Sequence, residues 1–213
     1  LPVEFDTNLT SGLITSNAIF FGTENEGLLK NSMSSTNDFL AIHPDGPLRN
    51  TPFSLQYDYG NLWVTFGDYD VYFNPSPFKQ LGFSYYENET WTSISYDSIQ
   101  QTIQKPVFNL NDIEINPVNS NEVFISSFHH GLLNFQKNYS IELLNETNSG
   151  LQSLVLEGAP NYKSIRVSDT EFDNQGYLWT LTSLLEEPLK RFNPATNQWQ
   201  SYSFSAIIND PIN

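Results

Sequence analysis

Two stretches of this chain place a pair of carboxylates at the spacing that one face of a β-strand requires. Asp112 and Glu114 stand in NDIEINPVNSNEVFIS (residues 111–126), and Asp169 and Glu171 stand in SDTEFDNQGYLWTLT (168–182). Side chains two apart on a strand share a face, so each pair projects together. Paired carboxylates suit three chemistries. They can hold Ca²⁺ through oxygen ligands, hydrogen-bond the hydroxyls of a sugar, or cleave a glycosidic bond as acid and nucleophile or base. Cleavage needs two acids in unlike environments, whereas these recur by repetition, so no enzyme and no catalytic residue is expected. A plainer explanation competes: the acids cap turns or pair with backbone at a solvated strand end. If the two strands are neighbours, the four carboxylates form an acidic funnel.

Other chemistry-bearing residues are sparse. His129 and His130 are adjacent, and on an extended chain they point to opposite faces, which disfavours a shared metal; turn polarity accounts for them. His43 precedes Pro44-Asp45-Gly46, which reads as a turn. Tyr85, Tyr86, Trp91, Trp199 and Tyr202 lie in outer hairpins; Trp91 and Trp199 are the candidates for stacking on sugar rings or anchoring a protein contact, with packing as the competing role. The Asn-x-Ser/Thr sites at Asn8, Asn88, Asn138 and Asn145 are incidental in a bacterial protein. No Gly-x-Ser-x-Gly, Ser-His-Asp spacing or phosphate-cradling glycine loop occurs.

Positioning these groups requires strands. Helical periodicity is confined to Ser98–Lys105 and Ser183–Glu187, and the rest alternates short runs with turn clusters such as NPVNSN, NETNSG and NPATNQ. The 16 Phe, 11 Tyr and 4 Trp, against one Met, favour pleated, half-buried surfaces and an all-β fold. Phe20, Trp63, Phe124 and Trp179 each sit in the second run of a unit, at intervals of 43, 61 and 55 residues. Propeller blades recur at about 40–50 residues, with insertions. A Gly-Leu or Pro-Leu element follows seven to nine residues later, except in the second unit, and then an outer hairpin. Each unit thus reads as an inner strand, a buried second strand, a third and an outer fourth. The expectation is an all-β, β-propeller-type fold of about four four-stranded antiparallel units, spanning 1–213 as one domain or a segment of a larger propeller, with units near 8–40, 50–95, 108–146 and 150–205. The four aromatics are the expected wedges between sheets.

The net charge of −15, with nine Lys and Arg, excludes nucleic acid and anionic lipid as electrostatic partners. Without Cys there is no disulfide, thiolate zinc site or cysteine nucleophile. No apolar run is long enough to span a membrane. The chain begins at Leu1 without a leader, which reads as a processed or excised segment with any signal peptide upstream. An unclosed propeller exposes one aromatic sheet face, so self-association is expected of an open segment.

DNQGYLWT, YGNLWVTFG, FFGTENEGLLK, FHHGLLNF and NETNSGLQ resemble the two-component-regulator propeller repeats of Bacteroidetes proteins, most of all between Phe108 and Phe204. Phe124 stands where those repeats usually carry Trp, and residues 31–60 and 92–107 match poorly. The resemblance implies an exported protein of the periplasm or cell surface of a Gram-negative bacterium. It implies a non-enzymatic binding or scaffold module of the type IX secretion system, contacting partner subunits or a surface glycan such as lipopolysaccharide. Its alternative is a periplasmic domain of a hybrid two-component regulator that senses an oligosaccharide. No cofactor is expected, apart from the Ca²⁺ that the paired acids could hold.

Overall fold

Short runs rich in Phe, Tyr, Trp, Ile and Val, each ended by Asn, Gly or Pro, fold as sixteen strands among the described residues. The computed structural model describes residues 8–24, 27–34, 39–42, 45–138 and 140–207; His43 lies outside them. All four sheets are four-stranded antiparallel meanders in sequence order, the arrangement of propeller blades.

The chain divides into two compact units, Leu1–Gly46 and Pro47–Asn213. The first holds β1 (Leu9–Ile14), β2 (Ala18–Thr23), β3 (Leu28–Ser32) and β4 (Phe39–Ile42). Within it Phe20 pairs with Leu13 on one side and Lys30 on the other, and the Lys30 amine lies 5.8 Å from the Phe20 ring centroid.

The second unit holds three sheets. They are β5 (Ser54–Asp58), β6 (Asn61–Thr65), β7 (Phe83–Glu87) and β8 (Thr90–Ile94); β9 (Leu110–Ile115), β10 (Glu122–Ser127), β11 (Gly131–Gln136) and β12 (Ser140–Leu144); and β13 (Val167–Phe172), β14 (Leu178–Thr182), β15 (Leu189–Asn193) and β16 (Gln198–Tyr202). The middle sheet is packed on both faces. Against β5–β8 it buries Ile113, Ile115, Val123, Ile125, Leu133 and Phe135 on Trp63, Phe83 and Tyr85. Against β13–β16 it buries Phe124, Leu132 and Leu144 on Val167, Phe172, Leu178 and Phe192. Alternating residues of β10 thus serve opposite cores, as the two-residue period of a strand demands.

Register confirms the repeat inside this unit. Trp63 stands opposite Gln56 and Tyr85, Phe124 opposite Glu114 and Asn134, and Trp179 opposite Glu171 and Arg191. Trp63 and Phe124 are wedges with no exposed surface. Trp179 is only half-buried, its indole Nε1 donating to Asp173 at 2.8 Å and its ring 5.4 Å from Tyr202 of its own sheet. Asp173 also accepts from the amides of Gln175 and Tyr177, at 2.9 and 3.0 Å. One carboxylate therefore closes the turn and fixes the aromatic of the strand after it.

Helix α1 (Tyr96–Ile103) starts two residues before the sequence expectation, because Ser95 accepts from the Ser98 amide as its N-cap. Ile99 and Tyr96 bury its inner face, and Gln104, left-handed at φ 55°, ends it. Ser183–Glu187 is not helical. Leu184 is left-handed at φ 62° and the Ser183 amide donates to the Arg166 carbonyl, which anchors a bend.

Candidate functional site

The first carboxylate pair is tied to the next sheet. Asp112 Oδ2 accepts from the Thr170 amide at 2.9 Å and its hydroxyl at 2.7 Å, and Glu114 Oε1 accepts from the Phe172 amide at 3.2 Å. Glu114 Oε2 takes the Gln56 side-chain amide at 3.1 Å, so this one residue links β5, β9 and β13. Burial pushes Glu114 up to about 7; the Phe172 hydrogen bond opposes this, and the charges of Glu171, Asp112 and Asp58 add to it. Burial also raises Asp112 to about 6, against the Thr170 hydroxyl and with the help of the Asp169 charge. Asp112 thus lies within electrostatic reach of Asp169, and Glu114 of Glu171 and Asp112, with Asp169 and Glu171 exposed. Among the described residues no group of three His, Cys, Asp or Glu side chains is arranged to hold a metal ion.

Trp91 is half-buried beside Tyr86, its partner across the β7–β8 pair, with ring centroids 5.2 Å apart. Trp199 stacks on Phe192 at 4.3 Å and joins the core between the last two sheets. Gly150 makes room for it: a Cβ there would lie 2.5 Å from the Trp199 Cβ. Gly150→Ala is expected to destabilise the fold by about 1–3 kcal/mol through overpacking, read as a lower denaturation midpoint in urea.

A different cluster has the character of a ligand site. Lys105, Pro106, His129, His130, Asn145 and Lys163 are among the residues lining a cleft of about 200 Å³ at one end of the sheets. The turn before Gly131 builds one wall. Gly131 has φ 106°, and a Cβ there would strike the Leu144 carbonyl at 2.3 Å, so the residue must be glycine. The Ile165 amide donates to the His129 carbonyl at 2.8 Å and the Gly131 amide to the Ile165 carbonyl at 3.1 Å. These bonds clamp residues 163–166 against the turn.

A backbone hydrogen bond sets the tautomer of His130. His130 Nδ1 accepts from the Phe108 amide at 3.1 Å, which leaves Nε2 as the protonated nitrogen. His129 Nδ1 lies 2.8 Å from the Ser164 hydroxyl, which itself receives Arg166 Nε–H at 3.3 Å. The Ser164 hydroxyl can either donate to His129 Nδ1 or accept from it. Burial lowers both imidazoles to about 4, helped by the Arg166 charge at His129 and by His129 at His130. Two neutral imidazoles, 4.6 Å apart between ring centroids, thus share a wall with Lys105 and Lys163, and His130 keeps an Nε2–H to donate. Glu146, 3.9 Å from the Lys163 amine, is the acid of the lining.

The expectation that His129 and His130 face apart fails because the turn is not extended. The Gly-Leu element just after them was the sequence signal for that turn. A larger hollow of about 430 Å³ is lined by Arg49, Phe53, Asp68 and Lys79 among others, with Lys79 ion-paired to Asp68, and it holds no histidine.

The architecture is that of β-propeller repeats. No protein-family model matches the chain, and comparison with curated proteins gives no match. Among solved structures it is similar to PorZ, a surface component of the type IX secretion system of Porphyromonas gingivalis, with a TM-score of 0.71 and 20% identity. The alignment covers 91% of this chain and 25% of that one, so the chain spans about a quarter of PorZ. Weaker likenesses are to extracellular domains from B. thetaiotaomicron. That of the putative one-component system BT4673 gives a TM-score of 0.49 at 15% identity, covering 91% of this chain and 22% of that one. That of the putative hybrid two-component system BT3049 gives 0.47 at 16%, covering 94% and 25%. At these identities the PorZ likeness shows the fold, and the weaker two add nothing to it. No helix among the described residues is long and apolar enough to cross a membrane.

Proposed function

We propose that this chain is a non-enzymatic binding module of an exported bacterial protein, a PorZ-like secretion component that holds an acidic surface glycan in the His129–His130 cleft. The observation that carries this reading is the cleft's donor set. The neutral His130 presents an Nε2–H without needing to be protonated, and Lys105 together with Lys163, whose amine is 3.9 Å from Glu146, supplies charge in a protein of net charge −15. Pro106, Leu143 and Ile165 of the lining give a sugar apolar surface to rest on. Asn145 adds a polar group at the rim. A glycan bearing a carboxylate or phosphate meets all three features, whereas a neutral glycan leaves the lysines unused.

Calorimetry with acidic and neutral oligosaccharides of equal length tests this. Saturable binding of the acidic one is expected, weakened about tenfold by Lys163→Ala, in keeping with the loss of one charge-assisted hydrogen bond. Binding of the neutral sugar with equal affinity, or binding indifferent to Lys163→Ala and His130→Ala together, would overturn the assignment.

A further inference from the structure

One cross-strand row has opposite character in two successive sheets. In β9–β12 the residue after Phe124 is Ile125, which stands between Ile113 and Leu133, with Leu143 beyond. All four are apolar and buried against β5–β8. In β13–β16 the residue after Trp179 is Thr180, which stands between Thr170 and Lys190, with Ser201 beyond. This second row faces β9–β12, where Thr170 bonds Asp112, and every member of it is polar. Thr170, Thr180 and Lys190 are 4%, 1% and 0% exposed.

Polar groups at that depth require hydrogen-bond partners. The Lys190 amine donates to Gln152 Oε1 at 2.6 Å and to Ser201 Oγ at 2.9 Å. Glu187, 3.8 Å away, is an ion partner beyond hydrogen-bond reach, so one of the three N–H groups is left over. Thr180 Oγ1 has no partner among the described residues. Neither has Ser126 Oγ, which is fully buried on the facing sheet as the cross-strand neighbour of Asp112.

The repeat shows what Ser126 lacks. Its counterpart one sheet earlier is Thr65, two residues after Trp63 as Ser126 is two after Phe124, and the Thr65 hydroxyl donates across to the Asn111 carbonyl at 3.1 Å. The corresponding carbonyl for Ser126 is that of Ser168, which accepts the Asn111 side-chain amide at 2.9 Å instead. Asn111 Oδ1 and Thr182 Oγ1, toward the same end of the two sheets, are also buried without a partner among the described residues.

Size changes with polarity. Ser126 is one methyl smaller than Thr65, and Thr180 is one carbon smaller than Ile125, and a water molecule needs little more room than that. The row runs from a carboxylate at Asp112 to an ammonium at Lys190, so an ion of either sign would meet a like charge. A neutral molecule that both donates and accepts suits the two hydroxyls and the spare N–H.

We propose that ordered water is bound in this row between β9–β12 and β13–β16, held by the Ser126 and Thr180 hydroxyls and the remaining N–H of Lys190. The interface between β5–β8 and β9–β12 is dry at the same row, because Ile113, Ile125 and Leu133 offer water nothing to bind.

Magnetic relaxation dispersion of the water oxygen, which reads waters held inside a protein, tests this. The Ser126→Ala/Thr180→Val double variant keeps the shape of the row and removes both hydroxyls. It is expected to lose the signal of about one held water relative to wild type, with circular dichroism checking that the fold is kept. A crystal structure of the wild-type chain reads the same row without any substitution, and water within hydrogen-bond reach of Ser126 Oγ and Thr180 Oγ1 is expected there. An undiminished signal in the double variant, or a dry row in which the two hydroxyls bond to protein atoms, would overturn the proposal.

Discussion

Trp63→Ala is expected to destabilise the fold by about 3–5 kcal/mol, the cost of emptying a large aromatic site in a core. Trp179→Ala, at the same register two sheets later, is expected to lose only about 1 kcal/mol, mostly its hydrogen bond to Asp173. The difference comes from cover. Trp63 lies between two sheets, stacked on Tyr85 at 4.5 Å and edge-on to Phe135 of β11 at 6.1 Å, with the Lys137 amine 5.6 Å from its centroid. Its indole Nε1 is buried without a partner among the described residues, so packing is what the substitution removes. Trp63→Phe should therefore retain most of the stability. Urea denaturation of the three variants measures the series, and equal losses at Trp63 and Trp179 would mean that the last face is covered as fully as the others.

Glu114→Gln is expected to change how stability depends on pH. Glu114 titrates near 7 in the folded chain, above its usual value of 4.5. Above the folded value the carboxylate is ionised in both states and the full burial penalty opposes folding. As pH falls through 7 the folded state takes up a proton that the unfolded state does not, so stability rises until the unfolded carboxylate protonates too. Asp112, near 6, acts in the same direction. His129 and His130, near 4, act in the opposite one: the unfolded imidazoles protonate from about 6.5 downward and draw stability away. The wild-type chain should therefore change little between about pH 5 and pH 7, where the two effects oppose. Relative to it, Glu114→Gln should gain about 2 kcal/mol at about pH 8, after allowance for solvent screening, and nothing at about pH 4. Urea midpoints at the two pH values decide it. A gain of the same size at both would show that the amide acts through packing rather than titration.

The sheets were legible because their cores need it. Aromatics at comparable positions in successive units left few registers that bury them all, and Trp63, Phe124 and Trp179 do occupy one register. Asp112 and Glu114 were visible as a pair, but nothing local shows that their partners are the amides of Thr170 and Phe172, which lie 58 residues away. The cleft was less legible still. His129 and His130 read as alternating because an extended chain was assumed, and a left-handed glycine folds them into one wall. Lys105 and Lys163 come from segments with no shared pattern, and only tertiary packing sets them beside the histidines. Trp199 read as a platform, since its burial depends on the missing side chain of Gly150.

The amides at the inner edge of β13 and the carboxylates of β9 have a bearing on descent. A unit that carries acceptors on its front and donors on its back can be duplicated in tandem with no compensating change elsewhere, because every new copy fits the one before it. The β5 sheet has already departed from that pattern, with Ser54 and Gln56 at the positions of Asp112 and Glu114, while the aromatic recurs in all three sheets.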